Sequence, residues 1–191
     1  MGIAEILGFR APGEARAAGA LYTAIVARAR EPRFFSALGV PDTLDGRFET
    51  VVLHVILLAQ RLKSEPSKAA AGLSRALLES FVTDMDRSLR EMGAADLGVG
   101  RRVTAMAEGL YGRLRAYEAA LAETGDAALE AALRRNLYGT VDTPDEAALD
   151  AVCDYVRRQH AALASQTFAA LQAGQVAFLA LPDPVGSEVR P

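Results

Sequence analysis

The chain is organised around residues 39–49, Gly-Val-Pro-Asp-Thr-Leu-Asp-Gly-Arg-Phe-Glu, which lead directly into residues 50–62, Thr-Val-Val-Leu-His-Val-Ile-Leu-Leu-Ala-Gln-Arg-Leu. The first part is punctuated by Gly, Pro and Asp and predicts a turn, after which Asp42 or Thr43 caps the following helix. The second part carries apolar residues at helical spacing, and further apolar residues fill the opposite side. A helix that is apolar nearly all round belongs inside a larger helical body, so this stretch predicts the central helix of the fold.

Composition predicts an all-α protein. Hydrophobic residues make up 51% of the 191 residues, but aromatic residues only 6% and Trp is absent, so Ala and Leu supply much of the apolar content. These two residues are the strongest helix formers, and no segment shows the alternating pattern of a strand. We predict a single compact helical bundle of about six to seven helices around the central apolar helix, with one domain over residues 1–181 and a mobile tail over residues 182–191.

Helical periodicity and breaker residues place the other helices. In a short helix over residues 32–39, the adjacent Phe34 and Phe35 cannot share a face, so we expect one in the core and the other turned outward. The segment at residues 143–146, Thr-Pro-Asp-Glu, predicts a capping box that opens the last long helix, which is free to continue to Leu171 or beyond. The other predicted helices cover residues 12–30, 73–93, 103–125 and 126–139, and the glycines at 93, 98 and 100 predict a helix cap and a flexible connection.

The sequence contains few groups suited to catalysis or metal binding. Two His and one Cys are too few for a zinc or haem site, so we predict no metal and no cofactor. Cys153 has no neighbour in sequence that would lower its pKa, which predicts a packed thiol. His54 has two interpretations: part of a polar recognition spot or, as we favour, a core histidine that is hydrogen-bonded to Asp84 or Asp86 of the next helix. These two carboxylates diverge on their helix and do not form an acid-base pair.

Three blocks of sequence carry a resemblance. They are Gly39-Val40-Pro41-Asp42-Thr43 with Asp45-Gly46-Arg47-Phe48 and Leu53-His54; Phe81, Asp84-Met85-Asp86, Leu89-Arg90-Glu91-Met92-Gly93, Asp96-Leu97 and Val99-Gly100; and Met106, Tyr111-Gly112-Arg113 and Tyr117. In order and spacing these blocks resemble the ubiquinol-cytochrome c chaperone family, and the resemblance covers residues 21–121. It implies an all-helical assembly factor for the ubiquinol-cytochrome c reductase (bc1) complex of the respiratory chain, and not an enzyme.

The resemblance also implies partners and a contact surface. Members of this family hold newly synthesised cytochrome b near the ribosomal exit tunnel, in mitochondria together with a small partner protein. A groove lined by Leu, Met and aromatic side chains would shield the apolar helices of such a client. The residues expected to meet the client or a partner are Phe34, Phe35, Asp42, Arg47, His54, Asp84, Asp86, Arg90, Glu91, Tyr111 and Arg113.

Charge and the N-terminal segment bear on location. The net charge of −3 argues against tight non-specific nucleic-acid binding, which leaves Arg28, Arg30 and Arg33 as the cluster for any local contact with the ribosome. No apolar run is long enough to span a bilayer and the N-terminus lacks the features of a secretory signal, so we expect the chain in the cytoplasm. We also expect it to be a monomer. The apolar residues of segment 3–9 leave two options, peripheral contact with the inner face of the cytoplasmic membrane or, as we favour, packing on the core.

Two other functions remain open. A helical lipid- or quinone-binding protein would use an apolar groove, with Arg47 and His54 at the polar end of the ligand. An enzyme would need Arg47, His54, Asp84 and Glu91 to converge in one pocket with shifted pKa values. The positions of these four side chains therefore discriminate among the three functions.

Overall fold

The structure is a computed structural model that describes residues 12–91 and 96–182, without the side chains of Pro12, Leu89 and residues 96–108. The predicted N-terminal segment 3–9, the end of the long helix at Met92 and Gly93, the Met106 side chain and the tail beyond residue 182 lie outside this description. The described residues form helices and no strand, which confirms the all-α fold. The helices are α1 (Pro12–Ala29), α2 (Arg33–Ser36), α3 (Leu44–Lys63), α4 (Lys68–Glu91), α5 (Asp96–Ala122), α6 (Ala127–Asn136), α7 (Glu146–Ser165) and α8 (Phe168–Gln172).

Helix α3 is the central helix, as its sequence predicts. All of its residues from Glu49 to Ala59 are buried, and it packs against α1, α4, α5 and α7. Burying this all-round apolar surface supplies much of the hydrophobic stabilisation of the fold. None of the helices in the described residues is both long enough and apolar enough to cross a membrane.

The start of α3 follows from local sequence. Gly39 ends the preceding turn with a φ of +64°, a conformation that glycine adopts without strain. Thr43 is the N-cap, because its hydroxyl accepts a hydrogen bond of 3.2 Å from the Gly46 amide. Of the two predicted capping residues, Thr43 is therefore the one used, and Asp45 adds a favourable negative charge in the first turn.

Four predicted boundaries are wrong. Helix α4 begins at Lys68 and not at residue 73. Helix α7 begins at Glu146 with Asp145 as its N-cap, because the Asp145 carboxylate and not Thr143 accepts from the Ala148 amide, at 2.8 Å. Helix α5 begins at Asp96, so the glycines at 98 and 100 lie inside a helix and not in a flexible connection. The last long helix stops at Ser165 instead of reaching Leu171, because Gln166 is extended and Thr167 caps the separate helix α8.

The chain after α8 returns across the body without helix or strand. Gly174 has a φ of +79° and ends α8, and a side chain there would meet Ala20 at 2.9 Å. Residues 175–182, which we call the C-terminal strap, then cross α7 and end beside α2. Leu181 is buried in the core, and Val176, Phe178 and Leu179 pack partly buried against it. The strap is therefore part of the packed structure as far as Pro182.

Gly46 is required by the close approach of the turn before α3. A Cβ atom at this position would lie 2.0 Å from the Pro41 carbonyl oxygen. We expect Gly46→Ala to lower the free energy of unfolding by about 1–3 kcal/mol, as overpacking does when backbone must move. Gly112→Ala is the matched control, because a Cβ there meets nothing within 4 Å and alanine favours a helix. Urea denaturation measures both, and equal stability of the two variants would contradict this explanation of Gly46.

Candidate functional site

The first turns of α3 present a mixed apolar and cationic surface. The Arg47 guanidinium lies 5.4 Å from the centre of the Phe35 ring, and its Nε donates to the Asp42 carboxylate at 2.6 Å. Leu44 is 62% exposed, and Phe48, one turn further along the same side of α3, is partly buried. We call this surface, formed by Phe35, Leu44, Arg47 and Phe48, the motif face. A guanidinium stacked on an aromatic ring beside an exposed leucine is suited to contact with another protein.

An ion pair directly behind the motif face fixes its position. Arg113 of α5 donates to Glu49 of α3 through two nitrogens, at 2.9 Å for Nε and 2.5 Å for Nη2. Glu49 is only 8% exposed, and burial raises the pKa of its carboxyl above the ordinary 4.5, although the guanidinium opposes this rise. Two-point pairing of this kind sets the orientation as well as the distance between α3 and α5. A cleft of about 260 Å³ opens beside the pair, between α3, α5 and the end of α6.

A row of aromatic rings connects this ion pair to α1 and α4. The Arg113 guanidinium lies 5.9 Å from the Phe48 ring, Phe48 lies 6.0 Å from Phe81, and Phe81 lies 6.4 Å from Tyr22. The Tyr22 hydroxyl then donates to Asp84 at 2.8 Å, and burial together with this carboxylate raises the tyrosine pKa. All three sequence blocks that carry the family resemblance thus meet through packed side chains.

Asp84 lies on a groove of about 700 Å³ between α1 and α4. The groove also contains Tyr22, Arg30 and Arg87, and Arg87 pairs with Asp84. Asp86 points elsewhere, as the spacing on the helix predicts, and pairs with Arg90 at 2.8 Å. The predicted site residues of α4 therefore divide between this groove and an outer surface.

Phe34 and His54 are buried, so neither side chain is exposed at a surface of the described structure, and their part in client binding stays a prediction. Both are fully inaccessible to solvent. The imidazole contacts the Thr50 carbonyl oxygen at 2.7 Å and the Tyr155 hydroxyl at 2.9 Å, so the predicted partners Asp84 and Asp86 are wrong. The favoured interpretation of His54 as a hydrogen-bonded core histidine is confirmed. Phe34 packs edge-on against both His54 and Tyr155, whereas Phe35 turns outward, as expected for adjacent residues.

Cys153 behaves as predicted. It is 3% exposed, and burial raises the pKa of its thiol to about 12. A thiol with such a pKa is protonated and unreactive at neutral pH. It is a packing residue of α7.

Tyr111 and Arg113 do not form a common site. They are two residues apart on α5, which turns their side chains to nearly opposite sides. Tyr111 is 61% exposed, and the Arg115 guanidinium lies 5.5 Å from its ring. Arg113 instead faces Glu49. Tyr111 is therefore an exposed aromatic residue outside the motif face.

Two of the three arginines proposed for a ribosome contact hold the C-terminal strap. Arg28 pairs with Glu31 and donates to the Phe178 carbonyl oxygen at 3.3 Å, and Arg33 donates to the Pro182 carbonyl oxygen at 2.5 Å. Arg30 is exposed at the groove between α1 and α4. The ribosome contact stays a prediction, and Arg30 is the member of the cluster best placed for it.

The side chains named for the two other functions do not converge. Arg47 is exposed and paired with Asp42, whereas His54 is buried with both ring nitrogens engaged, so the two do not meet at one end of a ligand groove. Asp84 faces Tyr22, and Glu91 is exposed at the end of α4 beside Arg87. The pocket that a lipid, a quinone or a substrate would need is not assembled from these four residues.

The predicted site residues do not include Glu49, Tyr155, Gln159 or the strap, although the structure gives each of them a contact at or near the site. Glu49 carried a usable signal, because it directly precedes the apolar run of residues 50–62, and a carboxylate that is buried there needs a cation. Tyr155 and Gln159 both lie on α7. The hydrogen bond between Tyr155 and His54 joins residues that are 101 positions apart in the sequence. No local pattern indicates such a pairing.

The chain matches a known protein family in sequence. Residues 36–178 match the sequence model of a family described as ubiquinol-cytochrome C chaperone. The chain belongs to the ubiquinol-cytochrome c chaperone family. The match extends beyond the resemblance at residues 21–121 and takes in α6, α7 and α8, and within it lie Leu44, Arg47, Phe48, Glu49 and Arg113. Phe34, Phe35 and the three arginines precede it.

Individual relatives support the assignment of the chain to the chaperone family. The chain is 30% identical over 139 residues to the Xenopus laevis protein named ubiquinol-cytochrome-c reductase complex assembly factor 1, covering 73% of this chain and 68% of the frog protein. It is 26% identical over 163 residues to the mouse protein of the same name and spans 54% of that relative's length. The crystal structure of the Cbp3 homolog from Brucella abortus superposes with a TM-score of 0.79 at 35% identity, over 88% of this chain and 92% of that one.

Proposed function

We propose that this chain is an assembly chaperone that binds newly made cytochrome b and supports assembly of the ubiquinol-cytochrome c reductase complex. The observation that carries the proposal is the family match over residues 36–178. The relatives named as assembly factors of that complex agree with it. A helical protein of this kind acts by binding, so we propose no catalytic step and no cofactor.

The motif face is the proposed client surface. It contains an exposed leucine, two partly buried phenylalanines and a guanidinium stacked on one of them. Apolar side chains can cover the transmembrane segments of a client that has not yet inserted, and the exposed cation confers orientation. The Glu49–Arg113 pair holds this face in place, which accounts for a buried charge pair so close to the surface.

The proposal extends to location and partners. Cytochrome b is made at the membrane, so the chain would act in the cytoplasm at the inner face of the cytoplasmic membrane as a peripheral protein. Arg30 and the groove between α1 and α4 are the proposed places for a ribosome or a small partner protein. The chain would work as a monomer, because the motif face must be open to its client.

Capture of cytochrome b from the native host tests the client surface. A tagged chain is isolated from membranes and bound cytochrome b is quantified by mass spectrometry. We expect Arg47→Glu to capture at least about fivefold less cytochrome b than the wild type, a loss of about 1 kcal/mol that would place Arg47 among the minority of interface residues, enriched in arginine, that carry most of the binding energy.

Arg158→Glu is the matched control for this experiment. Arg158 is an exposed arginine of α7 that pairs with Asp154 at 2.7 Å, much as Arg47 pairs with Asp42 at 2.6 Å. The control should capture cytochrome b like the wild type. Equal capture by Arg47→Glu and Arg158→Glu would remove the motif face from the proposal, and absence of cytochrome b from the wild-type sample would refute the proposed client.

A further inference from the structure

The C-terminal strap lies in a groove whose side chains form hydrogen bonds with the strap backbone. Gln166 forms two hydrogen bonds with one strap residue: its Oε1 accepts from the Ala177 amide at 2.9 Å, and its Nε2 donates to the Ala177 carbonyl oxygen at 2.8 Å. Two turns earlier on α7, Gln159 Oε1 accepts from the Leu179 amide at 2.7 Å. Two glutamine amides thus bind alternate residues of the strap, which is the spacing at which an extended chain presents its backbone to one side.

Side-chain recognition complements this backbone recognition. Between the two bound residues, Phe178 places its ring 5.5 Å from that of His54, edge to face. Phe34 and Tyr155 pack against His54 in turn, so the Phe178 ring adjoins a cluster of three rings. Two arginines bind the strap backbone as well, since Arg28 donates to the carbonyl oxygen of Phe178 in the middle of the strap and Arg33 to that of Pro182 at its end. The groove therefore selects a non-helical segment with an aromatic residue among aliphatic ones.

The strap fits this groove incompletely. Gln159 is fully buried, yet in the described residues its Nε2 has no hydrogen-bond partner, whereas Gln166 satisfies both ends of its amide. A buried donor without an acceptor destabilises the closed arrangement, and native structures contain few such groups. The unmatched donor marks the place where a different peptide would offer a carbonyl oxygen.

We propose that the groove beneath the C-terminal strap is a second client site, which takes a non-helical apolar segment with a central aromatic residue and which the strap blocks until such a segment displaces it. The inference rests on the proposed function only in taking the client to be a polypeptide. Pro182 lies beside Arg33 of α2, and the next residues of α2 are Phe34 in the groove and Phe35 on the motif face. Displacement of the strap would therefore join the groove to the motif face.

Fluorescence anisotropy with a labelled peptide of residues 173–182, Ala-Gly-Gln-Val-Ala-Phe-Leu-Ala-Leu-Pro, tests the proposal on the full chain. The tethered strap competes with the peptide at an effective concentration in the millimolar range, so the wild type should bind weakly. Phe178→Ala weakens the tethered competitor and should bind the peptide at least about tenfold more tightly. Phe168→Ala, which removes a partly buried phenylalanine of α8 that has no ring contact with His54, should bind like the wild type.

Two further variants make the result decisive. Ala177→Pro removes the strap amide that donates to Gln166 and leaves the groove unchanged, so it should also raise the peptide affinity and provides a readout if Phe178→Ala does not fold. Adding Gln159→Met to Phe178→Ala removes the buried amide and should abolish the gain. A folded Phe178→Ala or Ala177→Pro protein that binds the peptide no better than the wild type would overturn the proposal.

The outcome separates this proposal from the proposed function. If the wild type captures cytochrome b but no strap variant binds the peptide, the proposed second client site is refuted and the proposed chaperone function stands. If the strap variants bind the peptide but no cytochrome b is captured, the groove stands and its client is another polypeptide.

Discussion

Arg113→Ala should destabilise the protein by about 3 kcal/mol at pH 7, within the range for breaking a buried ion pair. The variant leaves the Glu49 carboxylate, which is only 8% exposed, without the guanidinium that now binds it through two nitrogens. Arg115→Ala, a neighbouring arginine of α5 on an exposed site, should cost less than about 0.5 kcal/mol. Urea denaturation of both variants measures the difference, and similar losses would show that the pair does not hold the motif face.

The loss in Arg113→Ala should also depend on pH. Burial already raises the pKa of Glu49 above 4.5, and removal of the guanidinium takes away the interaction that opposes this rise. A carboxyl group whose pKa is higher in the folded state binds its proton more tightly there, so protonation favours folding as the pH falls. The difference in the free energy of unfolding between the wild type and Arg113→Ala should therefore become smaller as the pH falls from 7 to 4.5. Glu49→Gln combined with Arg113→Ala should show no such change.

His54 should make the wild type lose about 3 kcal/mol of stability between pH 7 and pH 4, at 1.36 kcal/mol for each unit of pKa difference. Burial lowers the pKa of the imidazole from 6.5 to about 4, so the unfolded chain takes up the proton first. Stability is then complete above pH 6.5 and falls as the pH drops toward 4. The neutral ring is the form that the Thr50 carbonyl oxygen and the Tyr155 hydroxyl hold in place.

Comparison with His54→Gln isolates this contribution. The variant keeps His160, whose pKa is also lowered by burial, and Glu49, whose shift acts in the opposite direction. Denaturation at pH 7, 6, 5 and 4 should therefore give a steeper decline for the wild type than for the variant. Parallel declines would show that His54 is not the buried neutral base described here.

The elements that could be predicted from the sequence are those whose information is local. The apolar pattern of residues 50–62 gives α3, the two candidate caps Asp42 and Thr43 give its start to within one residue, and adjacency alone separates Phe34 from Phe35. Each of these follows from helical geometry within a few residues. Where two local signals competed, as for Thr143 and Asp145 before α7, the sequence did not decide, because both side chains can accept a hydrogen bond from a helix amide.

The candidate site depends on contacts that no local pattern encodes. Glu49 and Arg113 are 64 residues apart, and His54 and Tyr155 are 101 residues apart. Their pairing is decided by which faces of α3, α5 and α7 pack together, and sequence periodicity fixes the face of each helix but not its neighbour. The same reason explains the strap, because no local pattern in residues 175–182 shows that this segment packs across α7.

The most direct test of the central claim is the wild-type capture experiment performed after a short radioactive pulse. If the chain is a cytochrome b chaperone, labelled cytochrome b should be isolated with the tagged protein immediately after the pulse and should leave it during the chase as it enters the assembled reductase complex. Labelled cytochrome b that never associates with the chain, while the reductase complex still accumulates normally in cells that lack this protein, would contradict the account.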